Sequence, residues 1–137
     1  MVSASPQETF DIGQRIAAML EPGSVVSLNG ELGSGKTYLT KGIARGLGIK
    51  ENITSPTYTI INEYESPALY HIDVYRLIND EDFENIGGPE IINSNGICVI
   101  EWGQRIPKSI PENSITVFLE ITGPNSRLIR ITGLNKL

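Results

Sequence analysis

Four residues stand at a spacing that suits phosphate chemistry: Gly30, then four positions, then Gly35-Lys36-Thr37. Each type has a physical job in that pattern. Glycines let backbone N–H groups approach an anion with no Cβ in the way. Lys36 supplies a point charge for the β- and γ-phosphates of a nucleotide, and the Thr37 hydroxyl is a ligand for Mg²⁺. A helix beginning at this point turns its positive end toward the same anion. The run Gly30-Glu31-Leu32-Gly33-Ser34-Gly35-Lys36-Thr37 therefore matches the Walker A phosphate-binding pattern, with ATP and Mg²⁺ as the expected cofactors. Glu31, Leu32, Gly33, Ser34, Gly35, Lys36, Thr37 and Tyr38 are the expected nucleotide contacts.

Mg²⁺ takes oxygen ligands, and a phosphate-binding loop is ordinarily complemented by an acid at a strand end. Glu101 ends the most apolar run of the chain and is favoured as the metal-side carboxylate; Asp73, at the end of Leu69-Tyr70-His71-Ile72, is the other candidate. Strand alternation places His71 and Asp73 on one face. His71, the only histidine, admits two readings, a satisfied core group or a group that positions water or phosphate. Arg76 either meets phosphate or pairs with one of Asp80, Glu81 and Asp82, and Trp102 either packs in the core or lines the nucleotide site.

These side chains need elements to hold them. Ser5-Pro6-Gln7-Glu8 reads as a helix start, with a capping Ser, Pro at the first helical position and Glu three residues on. Ile12, Ile16, Ala17 and Leu20 continue it at helical spacing to a stop at Pro22-Gly23. Ser24 to Asn29 is a short β-branched run that predicts a buried strand feeding the glycine-rich loop, and Thr37 to Gly46 predicts the helix after it. Thr54 to Thr57 reads as a loop; Thr59 to Glu63 and Leu69 to Val74 read as a hairpin turning at Glu65-Ser66-Pro67. A short helix is expected over Asn79 to Ile86, then a chain break at Gly87-Gly88-Pro89 before Glu90-Ile91-Ile92. Gly96 to Trp102 reads as a buried strand, and Ser114 to Ile121 with Leu128 to Ile131 as a closing hairpin. The expected fold is α/β of the P-loop NTPase type, a mixed sheet with a parallel centre, antiparallel margins and helices on both faces.

The chain has 137 residues, 39% hydrophobic and 20% charged, which suits one domain over 1–137 with a core of its own. A formal charge of −5 argues against broad electrostatic capture of DNA or RNA, so any RNA contact is expected to be made through a partner. Cys98 is the single cysteine, which excludes an intrachain disulfide and a zinc cluster and points to a reducing compartment. Met1 to Pro6 has neither a basic region nor an apolar stretch, and no window reaches membrane-spanning length, so a cytoplasmic protein with no membrane association is expected.

Gly-x-Leu-Gly-x-Gly-Lys-Thr at Gly30 to Thr37, Ser-Pro-Thr-Tyr at Ser55 to Tyr58, His-x-Asp-x-Tyr-Arg at His71 to Arg76, and an apolar strand ending in Glu101-Trp102 occur in that order. Together they resemble the TsaE (YjeE) family, bacterial ATPases of the tRNA threonylcarbamoyladenosine pathway, over about Gly23 to Trp102. The resemblance implies an ATPase, slow alone and partner-dependent, that joins the TsaB–TsaD pair to support modification of adenosine 37 in tRNAs decoding ANN codons. It implies phosphate and Mg²⁺ contacts for Lys36 and Thr37, a nucleotide-responsive loop containing Ser55 and Thr57, a catalytic-site acid in Asp73 and the Mg²⁺-side carboxylate in Glu101. The last thirty-odd residues match only in being β-rich. The competing expectation is a small-molecule or nucleotide kinase on the same fold. A kinase lid uses several arginines, whereas only Arg76 and Arg105 lie between the loop's helix and the C-terminal strands.

Overall fold

The computed structural model describes residues 1–31, 33–53, 61–64 and 68–133. Its elements in chain order are β1 (Val2–Ser3), α1 (Pro6–Ala17), β2 (Val25–Gly30), α2 (Lys36–Gly46), β3 (Ile61–Tyr64), β4 (Leu69–Asp73), α3 (Asp80–Asn85), α4 (Gly88–Ile92), β5 (Ile97–Glu101), a 3₁₀ turn (Gly103–Arg105), β6 (Ile115–Ile121) and β7 (Arg127–Thr132). Among the described residues the strands form one sheet in the order β1-β7-β6-β2-β5-β4-β3. The central four, β6, β2, β5 and β4, are parallel, while β3, β7 and β1 add antiparallel margins. This is the mixed sheet expected from the sequence.

Parallel strands are covered on both faces, which is why Val25-Val26 and Ile97-Cys98-Val99-Ile100 read as unbroken apolar runs. Val26, Leu28 and Val99 turn to the face covered by α1 and α2, where they join Ile12, Ile16, Leu39 and Ile43 in one core. Val25, Cys98 and Ile100 turn to the other face and pack with Phe83, Ile72, Val74 and Ile106. Burial there pushes the Cys98 thiol up to about 11, so it serves as a small apolar group.

α1 starts as its sequence predicts. The Ser5 hydroxyl accepts from the Glu8 N–H at 3.1 Å, and the Glu8 carboxylate reaches back to the Ala4 N–H. The helix ends at Ala17, one turn before the expected stop, so Leu20 packs from the following turn. α1 then lies against α2 closely enough that backbones touch: a Cβ on Gly42 would come within 2.0 Å of the Phe10 carbonyl oxygen, and one on Gly13 within 2.3 Å of that of Leu39. The same pairing sets Thr9 beside Gly35 and Ala17 beside Gly46, so the two helices run in the same direction and their N-termini meet at the loop.

Two local expectations change. Gly87-Gly88-Pro89 is a helix junction instead of a break: α4 starts there with Pro89 in its first turn, where the missing N–H has no partner to lose. The N-terminus also adds a strand, β1 pairing with β7 through Val2↔Leu128 and Ser3↔Arg127. The hairpin β3–β4 is antiparallel as expected; its turn at 65–67, the stretch 54–60 and Leu32 lie outside the described residues. Among the described residues no helix is long and apolar enough to cross a membrane.

Candidate functional site

β2 delivers the chain to the glycine-rich loop at Gly30, and α2 begins at Lys36. Between them Gly33 and Gly35 hold φ of 81° and 102°, a left-handed backbone that side chains with a Cβ rarely adopt. Among the described residues no side chain caps α2, so its first N–H groups are open to an anion. Sheet register brings the acids alongside. Asp73 is paired with Glu101 across β4 and β5, and Glu101 with Leu28 across β5 and β2, so both carboxylates stand at the carboxyl end of the parallel strands next to the loop.

A cleft of about 260 Å³ opens at this point. Of the residues expected to contact nucleotide or metal, Gly33, Gly35, Lys36, Thr37, Tyr38, Asp73, Glu101 and Trp102 line it. Four others are placed differently. Glu31 is exposed in a separate groove with Gln104, Phe118 and Arg130. The Ser34 side chain is buried beneath the loop against Gly30, with its hydroxyl unpartnered among the described residues, so only its backbone can face the cleft. His71 is fully buried and does not line the cleft, and Arg76 is exposed and outside it. Leu32, Ser55 and Thr57 lie outside the described residues.

Lys36 is 5% exposed, donates to the Gly30 carbonyl at 2.7 Å, and sits 3.8 Å from the centre of the Trp102 ring. Burial lowers its pKa, an effect opposed by the nearby charges of Glu101 and Asp73. Burial raises the pKa of Asp73, and Glu101 adds to the rise; the Tyr75 N–H bonded to the carboxylate at 2.9 Å and the charge of Lys36 work the other way. Glu101 Oε2 lies 2.5 Å from His71 Nε2. Trp102 is the one non-glycine with positive φ among the described residues, at 64°, a conformation that costs about 1–2 kcal/mol. That turn lays its ring over Lys36 and beside Tyr75, with centroids 4.9 Å apart, and Arg105 stacks on both rings.

The sequence reading missed one whole wall of the cleft, formed by Ser5, Pro6 and Thr9 from the start of α1, Pro124 and Asn125 from the β6–β7 connection and Arg127 at the start of β7. Arg127 donates to the Gly33 and Ser34 carbonyls at 2.9 and 3.0 Å and to the Gly123 and Ser126 carbonyls at 3.1 and 2.8 Å. It ties the loop to the turn. No local signal marks these residues, because an arginine after a Gly-Pro-Asn turn is ordinary strand-start chemistry.

A strand, a glycine-rich loop with left-handed glycines, a helix opening on Lys36-Thr37 and two strand-end carboxylates make this a P-loop NTPase fold. Residues 3–129 match the family described as threonylcarbamoyl adenosine biosynthesis protein TsaE, and the chain belongs to that family. A tRNA threonylcarbamoyladenosine biosynthesis protein TsaE of Treponema pallidum is 47% identical over 131 residues, spanning 95% of this chain and 97% of that one. The protein of the same name from Bacillus subtilis is 39% identical over 134 residues, covering 96% of this chain and 84% of its own length. The crystal structure of Bacillus subtilis YdiB superposes with a TM-score of 0.82 at 34% identity, over 98% of this chain and 84% of that one.

Proposed function

We propose that the chain, as one domain over 1–137, binds ATP with Mg²⁺ in this cleft and hydrolyses it as a cytoplasmic component of the tRNA threonylcarbamoyladenosine machinery. It acts on the TsaB–TsaD pair and meets tRNA only indirectly. The observation that carries the reading is the meeting of Lys36, Thr37, Asp73 and Glu101 from three elements on one cleft beside an uncapped helix N-terminus. Membership of the TsaE family, and the printed names of the relatives, support the pathway.

The residues fit the cofactors. Thr37 and Glu101 are oxygen donors of the kind Mg²⁺ prefers, and a Cβ at Gly33 would meet nothing within 4 Å, so the loop is open to a phosphate chain. Bound there by the Thr37 hydroxyl and the Glu101 carboxylate, Mg²⁺ would neutralise phosphate charge. Lys36 exchanges its bond to the neutral Gly30 carbonyl for a stronger one to phosphate oxygen. Asp73 is well placed to hold the attacking water and take up its proton, because burial has already raised its proton affinity. The water oxygen bonds to the γ-phosphorus as the bond to the β-phosphate oxygen breaks, giving ADP and phosphate. Against a kinase stands the use of the arginines: Arg105 is stacked on two rings and Arg127 is occupied by four carbonyls.

The loop with Ser55 and Thr57 is proposed to sense the γ-phosphate and so to set affinity for TsaB–TsaD, since a ligand shifts an equilibrium only through differential binding. Isothermal titration of ATP, ADP, GTP and GDP, with and without the partners, tests the whole reading. Mg²⁺-dependent ATP binding and a partner affinity that differs between ADP and a non-hydrolysable ATP analogue are expected, and Thr57→Ala should shrink that difference. Absence of ATP binding would overturn the ATPase, and equal partner affinities would overturn the switch.

A further inference from the structure

The buried imidazole of His71 is used by none of the steps above, yet it touches one of the two acids. His71 is fully buried on β4, in register with Val99 of β5, one alternation below the Asp73↔Glu101 pair on the same face of the sheet. Its Nε2 lies 2.5 Å from Glu101 Oε2, while among the described residues Nδ1 has no partner. Glu101 meanwhile lines the cleft at 4% exposure. One carboxylate is thus held from the interior and presented to the site.

The contact also selects a tautomer. An ionised carboxylate only accepts, so Nε2 must carry the hydrogen. A proton on Nδ1 as well would leave a donor buried without a partner, whereas a bare Nδ1 leaves only an unused lone pair, the less costly orphan. Leu69, Ile97 and Val99 from the same strands belong to the core on this face, and Asn62 of β3 stands opposite His71 in the register.

We infer that His71 is a positioning residue for Glu101: in its Nε2–H form it clamps Oε2 and so fixes the rotamer in which the carboxylate is delivered to the Mg²⁺ side of the cleft. The inference rests on the ATPase reading for what Glu101 does, but not for how Glu101 is held. An interior hydrogen bond that orients a metal-side ligand typically changes metal affinity or activity ten- to a hundredfold when removed, about the size expected here.

Because His71 is the only histidine, its ring gives a single set of imidazole resonances in a long-range ¹H–¹⁵N spectrum of the nucleotide-free, metal-free protein. A protonated Nε2 and an unprotonated Nδ1 are expected; a protonated Nδ1 would overturn the inference. Two variants then separate positioning from packing. His71→Leu removes the donor, whereas His71→Gln retains an amide N–H that can reach Glu101. With Mg²⁺ titrated into each protein in the presence of ADP, the Leu variant should bind the metal about ten- to a hundredfold more weakly, and the Gln variant should return to within about threefold of wild type. Metal-free ADP binding should not change in either. Wild-type Mg²⁺ affinity in a folded Leu variant, or an equal loss in Gln, would overturn the role of His71 alone. Failure of the wild type itself to bind Mg²⁺ with ADP would overturn the functional reading, while the tautomer would still be decided by the spectrum.

Discussion

Arg127→Leu should loosen the phosphate-binding loop before any nucleotide arrives. The guanidinium holds the carbonyls of Gly33 and Ser34 on one side and those of Gly123 and Ser126 on the other. A trans peptide points its N–H opposite to its C=O, so drawing the Ser34 carbonyl toward Arg127 turns the Gly35 N–H the other way. A hydrogen bond from a charged donor contributes about 1.5–3 kcal/mol, but the Gly33 carbonyl is exposed and regains water when the partner goes. Counting the part-buried bond to Ser34 nearly in full and the exposed one at little, the loop loses about 2 kcal/mol of local stability. At 1.4 kcal/mol per factor of ten, that is about a thirtyfold rise in loop opening. Hydrogen exchange at the Ser34 amide, which donates to the Glu31 carbonyl at 3.0 Å, reports it in the ligand-free protein. ADP affinity should fall by a similar factor, and Arg127→Lys should not restore it, because an ammonium cannot span four carbonyls as the planar fork does. Ser34 exchange and ADP affinity both within threefold of wild type in the folded Leu variant would refute the reasoning.

Lys36→Met should cut ATP turnover by at least about a hundredfold through loss of the charge nearest the transferred phosphate. Its melting temperature should stay within a few degrees, because removing a desolvated charge offsets the lost bond to Gly30; a scan beside a phosphate-release assay checks both. Thr37→Ala and Glu101→Gln should each shift the Mg²⁺ dependence of hydrolysis while circular dichroism stays unchanged, and unaltered Mg²⁺ dependence in Glu101→Gln would move the metal-side role to Asp73. Gly42→Ala places a Cβ 2.0 Å from the Phe10 carbonyl oxygen, which forces α1 off α2 and should destabilise the fold by about 1–3 kcal/mol or more in urea denaturation, despite the higher helix propensity of alanine.

Much of this molecule was legible from its residues, for reasons that are local. The place of the loop between β2 and α2 is legible because the Walker A pattern sets particular residue types at fixed spacing along one stretch of chain. The α1 cap is likewise a contact between neighbours, Ser5 and Glu8, and the apolar runs at Val25 and Ile97 announce strands covered on both faces. Glu101 and Asp73 could be nominated as strand-end acids, but the sequence left their relation open; the parallel register that sets them side by side is a property of the sheet. The role of His71 was undecidable for the same reason, since its partner is thirty residues away on another strand. Arg127 was invisible, because its four acceptors belong to a loop more than ninety residues earlier and to its own turn, and only the β6–β2 pairing brings the two together. Local chemistry follows from which residues are adjacent in the chain, whereas the wall of the cleft and the hold on its acids depend on contacts that exist only once the sheet has set its strand order.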